Sequence, residues 1–338
     1  MKREIRILNR IFSWGGDGIT YEPDPRHAEL IVRELGLDGA KGVATPVVTE
    51  STEGAAERAL EEELDGGEAT RFRSLCARIN YLALDRADLQ YAAKNVSRHM
   101  SRPVGSDWAT LKRIGRYLVR HPRCVLHFYW QDLPTEVVGF ADSDWAGEKP
   151  GRKSTSGGLL MHGGHTLKSW SSTQHCIALS SGEAELYALT KAAAQVKGLM
   201  SLIGDFGQHL QGRVCTDATA AIGMAWRRGL GKTRHIDVQY LWLQDELNEE
   251  RLGLSKVNTK DNPADIFTKA VSADLLMQHL VSLGYELCDG RATTAPRLQR
   301  VHEHRNNWDA CGWRRGWRDV FPQLPPRQGT PSVIYSGF

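Results

Sequence analysis

The distribution of apolar residues divides the chain into segments of different periodicity. Residues 5–14 alternate between apolar and polar side chains, and a glycine-rich turn at 15–18 leads to a short return strand at 19–21. Alternation with a period of two predicts strands, and such a turn between two strands predicts a β-hairpin. An Asp-Pro start signal and a one-sided apolar pattern then predict a helix over residues 24–36.

The next two segments differ from this start in composition and in period. Residues 43–67 are rich in Thr, Ser, Gly and Glu, which predicts a solvated acidic linker. Residues 68–123 follow a helical pattern that is broken by prolines. Three helices fit the spacing, at about 68–84, 88–101 and 107–120.

Beyond residue 124, predicted strands alternate with predicted helices. Strands are expected at 125–130, 136–141, 158–162, 166–171, 212–216 and 252–257. A long helix from about 182 to 206 carries a continuous apolar stripe, which must be buried against a sheet. Shorter helices are expected at 218–227, at 235–249 and from 261 onward. This order predicts an α/β fold in which helices cover both faces of a mixed five-stranded sheet.

The composition adds little to this picture. Hydrophobic residues make up 41% and charged residues 25% of the 338 residues, which is typical of a soluble globular protein. The net charge of +3 is too small to indicate a nucleic-acid partner, so local basic patches must do so. The six cysteines are scattered, without the spacing of a zinc site, and are expected to be reduced thiols. Since we find no long apolar run and no signal peptide, we expect no membrane partner and a location in the cytoplasm or the nucleus.

Acidic residues stand at two structurally informative positions. Asp142 directly follows the apolar run of a strand, and Glu185 lies in the first turns of the long helix, where negative charge is favourable. A basic turn at 151–157 lies between them. A strand carboxylate, a basic hairpin and a helix carboxylate outline a metal-dependent phosphoryl-transfer site. Asp142 is preferred over Asp144 because it adjoins the apolar run. Glu185 is preferred over Glu183 because it adjoins the apolar stripe.

Six segments in this order resemble the ribonuclease H domain of copia-type retrotransposon polyproteins. They are ADSDWAG at 141–147, RKSTSG at 152–157, SSGEAE at 180–185, CTD at 215–217, KTRHIDV at 232–238 and ADIFTKA at 264–270. The predicted hairpin and helix of residues 1–42 resemble the last part of the reverse transcriptase in these polyproteins. The chain has no Tyr-x-Asp-Asp motif of a polymerase site, so we do not expect it to polymerise DNA.

The resemblance implies a ribonuclease H-like fold and an endonuclease that hydrolyses the RNA strand of an RNA–DNA hybrid. It implies four catalytic, metal-binding carboxylates, which are Asp142, Glu185, Asp217 and Asp265. Two Mg²⁺ ions would bind there, with Mn²⁺ as a substitute, because hard cations prefer carboxylate oxygens. For each acid the alternative is a helix cap or a solvated surface residue. For the whole chain, the alternative is a catalytically inactive, retrotransposon-derived module that binds nucleic acid.

Basic residues in three places are candidate nucleic-acid contacts. They are Arg152 and Lys153 of the basic turn, Lys232, Arg234 and His235 of the fifth matching segment, and Arg113, Arg116 and Arg120 on one face of the third predicted helix. A row of arginines at this spacing can follow a phosphate backbone, and the alternative is a solvated helix face. For His235 the alternative is a solvated or core histidine. The expected partners are an RNA–DNA hybrid and the upstream reverse transcriptase part of the polyprotein.

These segments give a predicted domain organisation in five parts. They are a reverse transcriptase C-terminal hairpin and helix at 1–42, an acidic linker at 43–67, a helical connection region at 68–123, a ribonuclease H-like domain at 124–285 and a tail at 286–338. The tail is rich in Arg, Trp and Pro and is expected to be disordered. Alternatively, its Arg and Trp side chains would stack on single-stranded bases.

Overall fold

Two five-stranded sheets organise the part of the chain that the computed structural model describes, which is residues 3–49, 51–149, 151–229, 231, 235–236 and 238–298. The strands are β1 (Arg3–Ile7), β2 (Arg10–Trp14), β3 (Gly18–Glu22), β4 (Arg123–Tyr129), β5 (Glu136–Asp144), β6 (Thr155–His162), β7 (His165–Thr173), β8 (Gln211–Thr216), β9 (Gly253–Lys256) and β10 (Tyr285–Cys288). The α-helices are α1 (Pro25–Glu34), α2 (Thr52–Leu60), α3 (Gly66–Ala83), α4 (Gln90–Ser97), α5 (Asp107–Arg120), α6 (Ser181–Asp205), α7 (Thr219–Trp226), α8 (Trp242–Asn248) and α9 (Ala273–Ser282). None of the helices in these ranges is long and apolar enough to cross a membrane.

The sheet that contains the predicted site has the strand order β7-β6-β5-β8-β9. Its first three strands are antiparallel neighbours, whereas β8 and β9 run parallel to β5. A parallel strand must be reached by a crossover connection, and α6 lies in the connection from β7 to β8. This is the mixed five-stranded, ribonuclease H-like sheet that the sequence predicts, so the predicted fold class is confirmed.

Helices cover both faces of this sheet. On one face, Val137 and Leu160 belong to the same apolar core as Val196 of α6. On the other face, Leu159 belongs to a core that also contains Phe72 of α3 and side chains of α4 and α5. Leu159 and Leu160 join different cores because successive side chains of a strand point to opposite faces. The helical region before β4 therefore closes the second face of the sheet.

The other sheet has the order β1-β2-β3-β4-β10 and is antiparallel throughout. The sequence analysis groups the strand at 125–130 with the ribonuclease H-like region, and this placement is corrected: the strand is β4, which pairs with β3 and β10. Alternation predicts a strand but does not predict the strands with which it pairs. The pairing of β4 depends on its side chains Cys124 and Leu126, which enter the core beneath α1 and α3. β10, which the sequence analysis missed, joins the same sheet. The domain boundaries themselves remain predictions.

Three further predicted elements differ in length or type. The predicted linker contains α2, which begins where Ser51 Oγ accepts a hydrogen bond from Gly54 N at 2.9 Å. Arg58 of α2 pairs with Asp107 at 2.7 Å and so attaches this helix to α5. The helix predicted at 235–249 is a 3₁₀ turn, Val238–Leu241, followed by α8. The last predicted helix is a 3₁₀ segment, Pro263–Phe267.

The arginine face of α5 has partners within the chain. Arg113 Nη2 donates to Thr45 Oγ1 at 2.8 Å, and Arg116 Nε donates to the carbonyl oxygen of Lys41 at 2.8 Å. Arg120 is exposed. Arg113 and Arg116 therefore hold the segment before α2 against α5. This arrangement differs from both predicted alternatives, a purely solvated helix face and a row of phosphate contacts. A role of Arg113, Arg116 and Arg120 in nucleic-acid binding stays a prediction.

Candidate metal centre

Two aspartates lie at the carboxyl ends of the parallel neighbours β5 and β8. The strand register pairs Phe140 with Cys215, and Asp142 and Asp217 each follow two residues later. Because side chains two residues apart point to the same face of a strand, this register brings the two carboxylates together at one end of the sheet. Asp142 is buried, with only 3% of its surface exposed, and Asp217 is half-buried.

The third carboxylate comes from α6. Ser180 caps this helix, since its Oγ accepts a hydrogen bond from a backbone N–H of the first turn at 3.2 Å. Glu185 follows five residues later, and its Oε1 accepts a hydrogen bond from the backbone N–H of Ser143 at 3.2 Å. One carboxylate oxygen from each of Asp142, Glu185 and Asp217 lies within 4.8 Å of the others. We call these three residues the carboxylate triad.

Two acids close to these residues in the sequence, Glu183 and Asp144, do not join the triad. Glu183 accepts hydrogen bonds from the backbone N–H of Leu179 at 3.1 Å and from the hydroxyl of Tyr187. Burial raises the pKa of Asp144, and the ammonium of Lys94 opposes this shift. The structure thus brings Asp142 and Glu185 together, as the sequence analysis prefers, and gives Glu183 other partners.

Asp265 reaches the same end of the sheet from the 3₁₀ segment. Asn262, which is fully buried, caps this segment, and its Nδ2 donates to the carbonyl oxygen of Ala141 at 3.0 Å. The hydroxyl of Thr268 lies within hydrogen-bond distance of both Asp142 Oδ2 and the carbonyl oxygen of Asp265. These contacts fix the segment to β5, so Asp265 is held beside Asp142 although their positions in the sequence are far apart.

A glycine permits this close approach. Gly157 on β6 is the cross-strand partner of Asp142. A Cβ atom at Gly157 would lie 2.5 Å from Thr268 Cγ2 and 2.8 Å from Phe267 Cβ. No side chain larger than hydrogen fits between β6 and the segment that carries Asp265 without displacing it.

A lysine ammonium group lies between Asp265 and Asp142. Lys269 Nζ is 2.9 Å from Asp265 Oδ1 and 3.9 Å from Asp142 Oδ2. Burial alone would lower the pKa of Lys269, but the carboxylates of Asp142 and Asp265 outweigh it and hold the pKa above the ordinary lysine value. Asp265 therefore pairs with Lys269, a cation of the chain itself, and is not a member of the carboxylate triad.

Burial and mutual repulsion raise the pKa values of two acids of the triad. Burial raises the pKa of Asp142 to about 7, and Asp265 and Asp217 add to this shift while Lys269 and Thr268 oppose it. Burial likewise raises the pKa of Glu185 to about 8, with contributions from Asp142 and Asp217. The charged forms of these groups are therefore costly in the absence of a compensating cation.

A divalent cation fits this arrangement. Glu185 Oε2 is buried and has no hydrogen-bond partner among the described residues. Such an atom normally has a partner, because an unpaired buried acceptor costs roughly 1–3 kcal/mol. Mg²⁺ and Mn²⁺ bind to carboxylate oxygens and would both pair this atom and offset the repulsion within the triad.

The basic turn lies at the same end of the sheet. Asp142 pairs with Gly157, and the strands continue beyond this pair to the turn that holds Arg152 and Lys153. Arg152 is exposed and Lys153 is half-buried. The turn is therefore placed where it could contact a substrate bound at the triad, and the role of both residues in binding stays a prediction.

The remaining predicted contacts lie partly outside the described residues. His235 Nε2 is 2.8 Å from Glu183 Oε2, so its ring is held near the start of α6. Lys232 and Arg234 lie outside the described residues, as does most of the predicted tail at 286–338, namely residues 299–338. For His235 the structure shows the carboxylate of Glu183 as a partner, and a phosphate contact stays a prediction.

Four residues of the site had no role in the sequence analysis. They are Gly157, Asn262, Thr268 and Lys269, which position Asp265 or contact it. Three of them lie within the matching segments 152–157 and 264–270, so those segments were a signal for their importance. Asn262 carried only a cap signal before a proline.

In sequence, the chain is similar to polyproteins of plant transposons. It is 28% identical over 250 residues to the retrovirus-related Pol polyprotein from transposon TNT 1-94 of Nicotiana tabacum, an alignment that covers 73% of this chain and 19% of that protein. It is 29% identical over 267 residues to the corresponding polyprotein from transposon RE2 of Arabidopsis thaliana, covering 75% of this chain and 18% of that protein. The chain thus spans less than a fifth of the length of these relatives. No family model matches it.

Among solved structures, LC11-RNase H1 isolated from compost is similar to part of the chain. The match covers 43% of this chain and 99% of that protein, with 13% sequence identity and a TM-score of 0.31. Values this low do not establish a shared fold, so the fold assignment depends on the strand order and register of the chain itself.

We predict that Gly157→Ala destabilises the fold and weakens Mn²⁺ binding. The added Cβ would overlap Thr268 and Phe267, so the 3₁₀ segment must shift, at a cost of about 1–3 kcal/mol in the free energy of unfolding. Gly198→Ala is the matched control, because no atom lies within 4 Å of that position in α6. The control should be stabilised by up to about 1 kcal/mol. Urea unfolding and Mn²⁺ titration measure both effects, and equal stability of the two variants would contradict this account of Gly157.

We also predict that Asp142 and Glu185 make a contribution to the free energy of unfolding in EDTA that falls as the pH rises. Asp142 and Glu185 have ordinary pKa values of 3.8 and 4.5, and in the folded chain these rise to about 7 and about 8. At pH values between the ordinary and the raised pKa values, these two acids bind more protons in the folded chain than in the unfolded chain. Their contribution to stability therefore falls as the pH rises. Mg²⁺ binds the ionised groups, and it should therefore raise the melting temperature more at pH 8 than at pH 5.

The control for this pH dependence is the double variant Asp142→Asn, Glu185→Gln. It should lose the fall in stability that these two acids contribute between pH 5 and pH 8, and most of the response to Mg²⁺. Thermal unfolding followed by circular dichroism provides the measurement. A wild-type chain whose stability in EDTA changes with pH in the same way as that of the double variant would contradict the assigned pKa shifts.

Proposed function

Because the chain belongs to the retrovirus-related Pol polyproteins of copia-type transposons, as a segment of them, we propose that it is a metal-dependent ribonuclease H. Its proposed substrate is an RNA–DNA hybrid, of which it hydrolyses the RNA strand at internal positions. The proposed partner within the polyprotein is the reverse transcriptase part that precedes it.

One observation supports this proposal above the others. Asp142, Glu185 and Asp217 come from two strands and a helix, and their carboxylate oxygens converge within 4.8 Å. Buried like charges destabilise a fold unless something compensates them. An arrangement that is costly for folding and suited to hard cations is typical of a site selected for chemistry.

The residues of the chain have distinct roles in the proposed reaction. Asp142, Glu185 and Asp217 would hold a divalent ion, and Asp265 would complete the site beside Asp142. When bound, such ions supply an activated water for attack and stabilise the leaving oxygen of the phosphodiester. The backbone N–H of Ser143 fixes Glu185 Oε1, which leaves Oε2 available as a ligand. The hydroxyl of Thr268 donates a hydrogen bond to Asp142 Oδ2 and so orients this carboxylate.

Contacts to the substrate backbone would come from the basic turn. Arg152 is exposed on the hairpin that extends from the Asp142–Gly157 pair, so its guanidinium can reach a phosphate next to the scissile bond. His235, held by Glu183, would contact the backbone from the side of α6. Discrimination of RNA from DNA requires a contact to the 2′-hydroxyl group, which acts as both donor and acceptor.

An inactive binding module is the alternative function. Such a module needs basic residues for the phosphate backbone but has no need of buried, mutually repelling carboxylates. The raised pKa values of Asp142 and Glu185 therefore favour the enzyme.

We predict that Asp142→Asn abolishes cleavage and preserves hybrid binding. The variant loses an anionic ligand, and the charge stabilisation that an ion supplies is worth several kcal/mol, so the rate should fall by at least about a hundredfold. Single-turnover cleavage of a labelled hybrid in Mg²⁺ gives the rate, and a binding titration gives the affinity. The matched control is Asp144→Asn, two residues along the same strand and outside the triad, which should cleave at close to the wild-type rate.

Two results would count against this function. Cleavage by Asp142→Asn within tenfold of the wild-type rate would remove Asp142 from the active site. Hybrid binding by the wild-type chain without any cleavage in Mg²⁺ or Mn²⁺ would support the binding module instead.

A further inference from the structure

The acidic residues of the site form two groups that share Asp142. On one side, Asp142 belongs to the carboxylate triad with Glu185 and Asp217. On the other side, Asp142 and Asp265 face each other across the ammonium group of Lys269. The site thus has two cation positions, of which the second already contains a cation that the chain itself provides.

The position of Lys269 follows from the 3₁₀ segment. Lys269 lies four residues after Asp265, and its Nζ returns to within 2.9 Å of Asp265 Oδ1. The Asp265 side chain is only 9% exposed, whereas the Lys269 side chain is 43% exposed. The carboxylate is therefore fixed in the site, while the lysine has an open path to solvent and can leave without rearrangement of the segment.

An ammonium group and a divalent ion compete for such a position. Both are compact positive charges, and both need the lone pairs of the same carboxylate oxygens. An Nζ atom within 2.9 Å of Asp265 and 3.9 Å of Asp142 occupies the space between them. A hard ion such as Mg²⁺ binds carboxylate oxygens at roughly 2.0–2.1 Å, so it cannot bridge these two carboxylates until the lysine moves away.

We propose that Lys269 closes the second cation position in the free chain and makes its filling depend on nucleic acid. The free chain then holds one divalent ion, at the triad. A phosphate backbone bound at the site offers Lys269 another anionic partner, and its departure opens the position between Asp142 and Asp265 to a second ion. This inference rests on the proposed metal-dependent function and makes Lys269 a positioning residue in that function.

The test is the number of divalent ions that the chain binds without nucleic acid. Isothermal titration calorimetry with Mn²⁺ gives this number for the wild-type chain, for Lys269→Met and for Lys260→Met. Methionine keeps the length of the side chain and removes the charge. Lys260 is exposed in the preceding 3₁₀ turn, Thr259–Asp261, which makes it the matched control.

We expect one Mn²⁺ ion per chain for the wild type and for Lys260→Met, and two for Lys269→Met. The double variant Asp265→Asn, Lys269→Met should return to one ion, because the second position has lost its own carboxylate. Circular dichroism establishes that each variant is folded, so a stoichiometry of one is not a consequence of unfolding.

Two results would overturn the role of Lys269 and leave the proposed function intact. They are two ions of similar affinity on the wild-type chain, or one ion on a folded Lys269→Met chain. The absence of any bound Mn²⁺ from the wild type and from Lys269→Met would instead overturn the metal-dependent function itself, and with it this inference.

Discussion

The repulsion among buried carboxylates at the end of β5 is the constraint on which the rest of the site depends. Asp142 is almost fully buried and lies beside both Glu185 and Asp217. Repulsion of this kind drives side chains apart unless the backbone that carries them is fixed. Here it is fixed by the ladder between β5 and β8, by the capped start of α6 and by the bond from Ser143 to Glu185. The fold thereby maintains an arrangement that the charges alone would disperse.

The surrounding architecture supplies this rigidity from both sides. One face of the sheet packs on α6 and α8, and the other packs on the helical region that precedes β4. Asn262 bonds the 3₁₀ segment with Asp265 to β5, and the absence of a side chain at Gly157 lets this segment pack closely against β6. Since β4 and β10 both join the first sheet, that sheet connects the helical region with the end of the ribonuclease H-like fold. The helical region is therefore part of the support of the site.

Local periodicity was sufficient to predict much of this fold. The apolar stripe of α6 and the alternation in β5 follow directly from burial on one face, so these elements could be located from the sequence. The preference for Glu185 over Glu183 used the same stripe, which defines the helix face that meets the sheet, and the structure places Glu185 beside Asp142. The sheet to which β4 belongs could not be predicted in this way, since its partners β3 and β10 are remote in the sequence.

The contacts that support the site could not be predicted from local sequence patterns either. Asn262 reaches Ala141, and Thr268 reaches Asp142, across more than a hundred residues of chain. Neither residue type has a periodicity that would indicate such a partner. Lys269 lay within a segment that resembles the family, but its role depends on the distances from its ammonium group to two carboxylates, and those distances exist only in the folded chain.

We infer that the triad is a cation site whose acids hold protons until an ion binds. Calorimetric titration with Mg²⁺ at pH 7, repeated in buffers of different ionisation enthalpy, measures the protons released per ion. With pKa values of about 7 for Asp142 and about 8 for Glu185, we expect release of about one proton or more per ion. The release should disappear in the double variant Asp142→Asn, Glu185→Gln. Mg²⁺ binding without proton release, or with the same release in the double variant, would show that Asp142 and Glu185 are already ionised in the free chain or do not bind the ion.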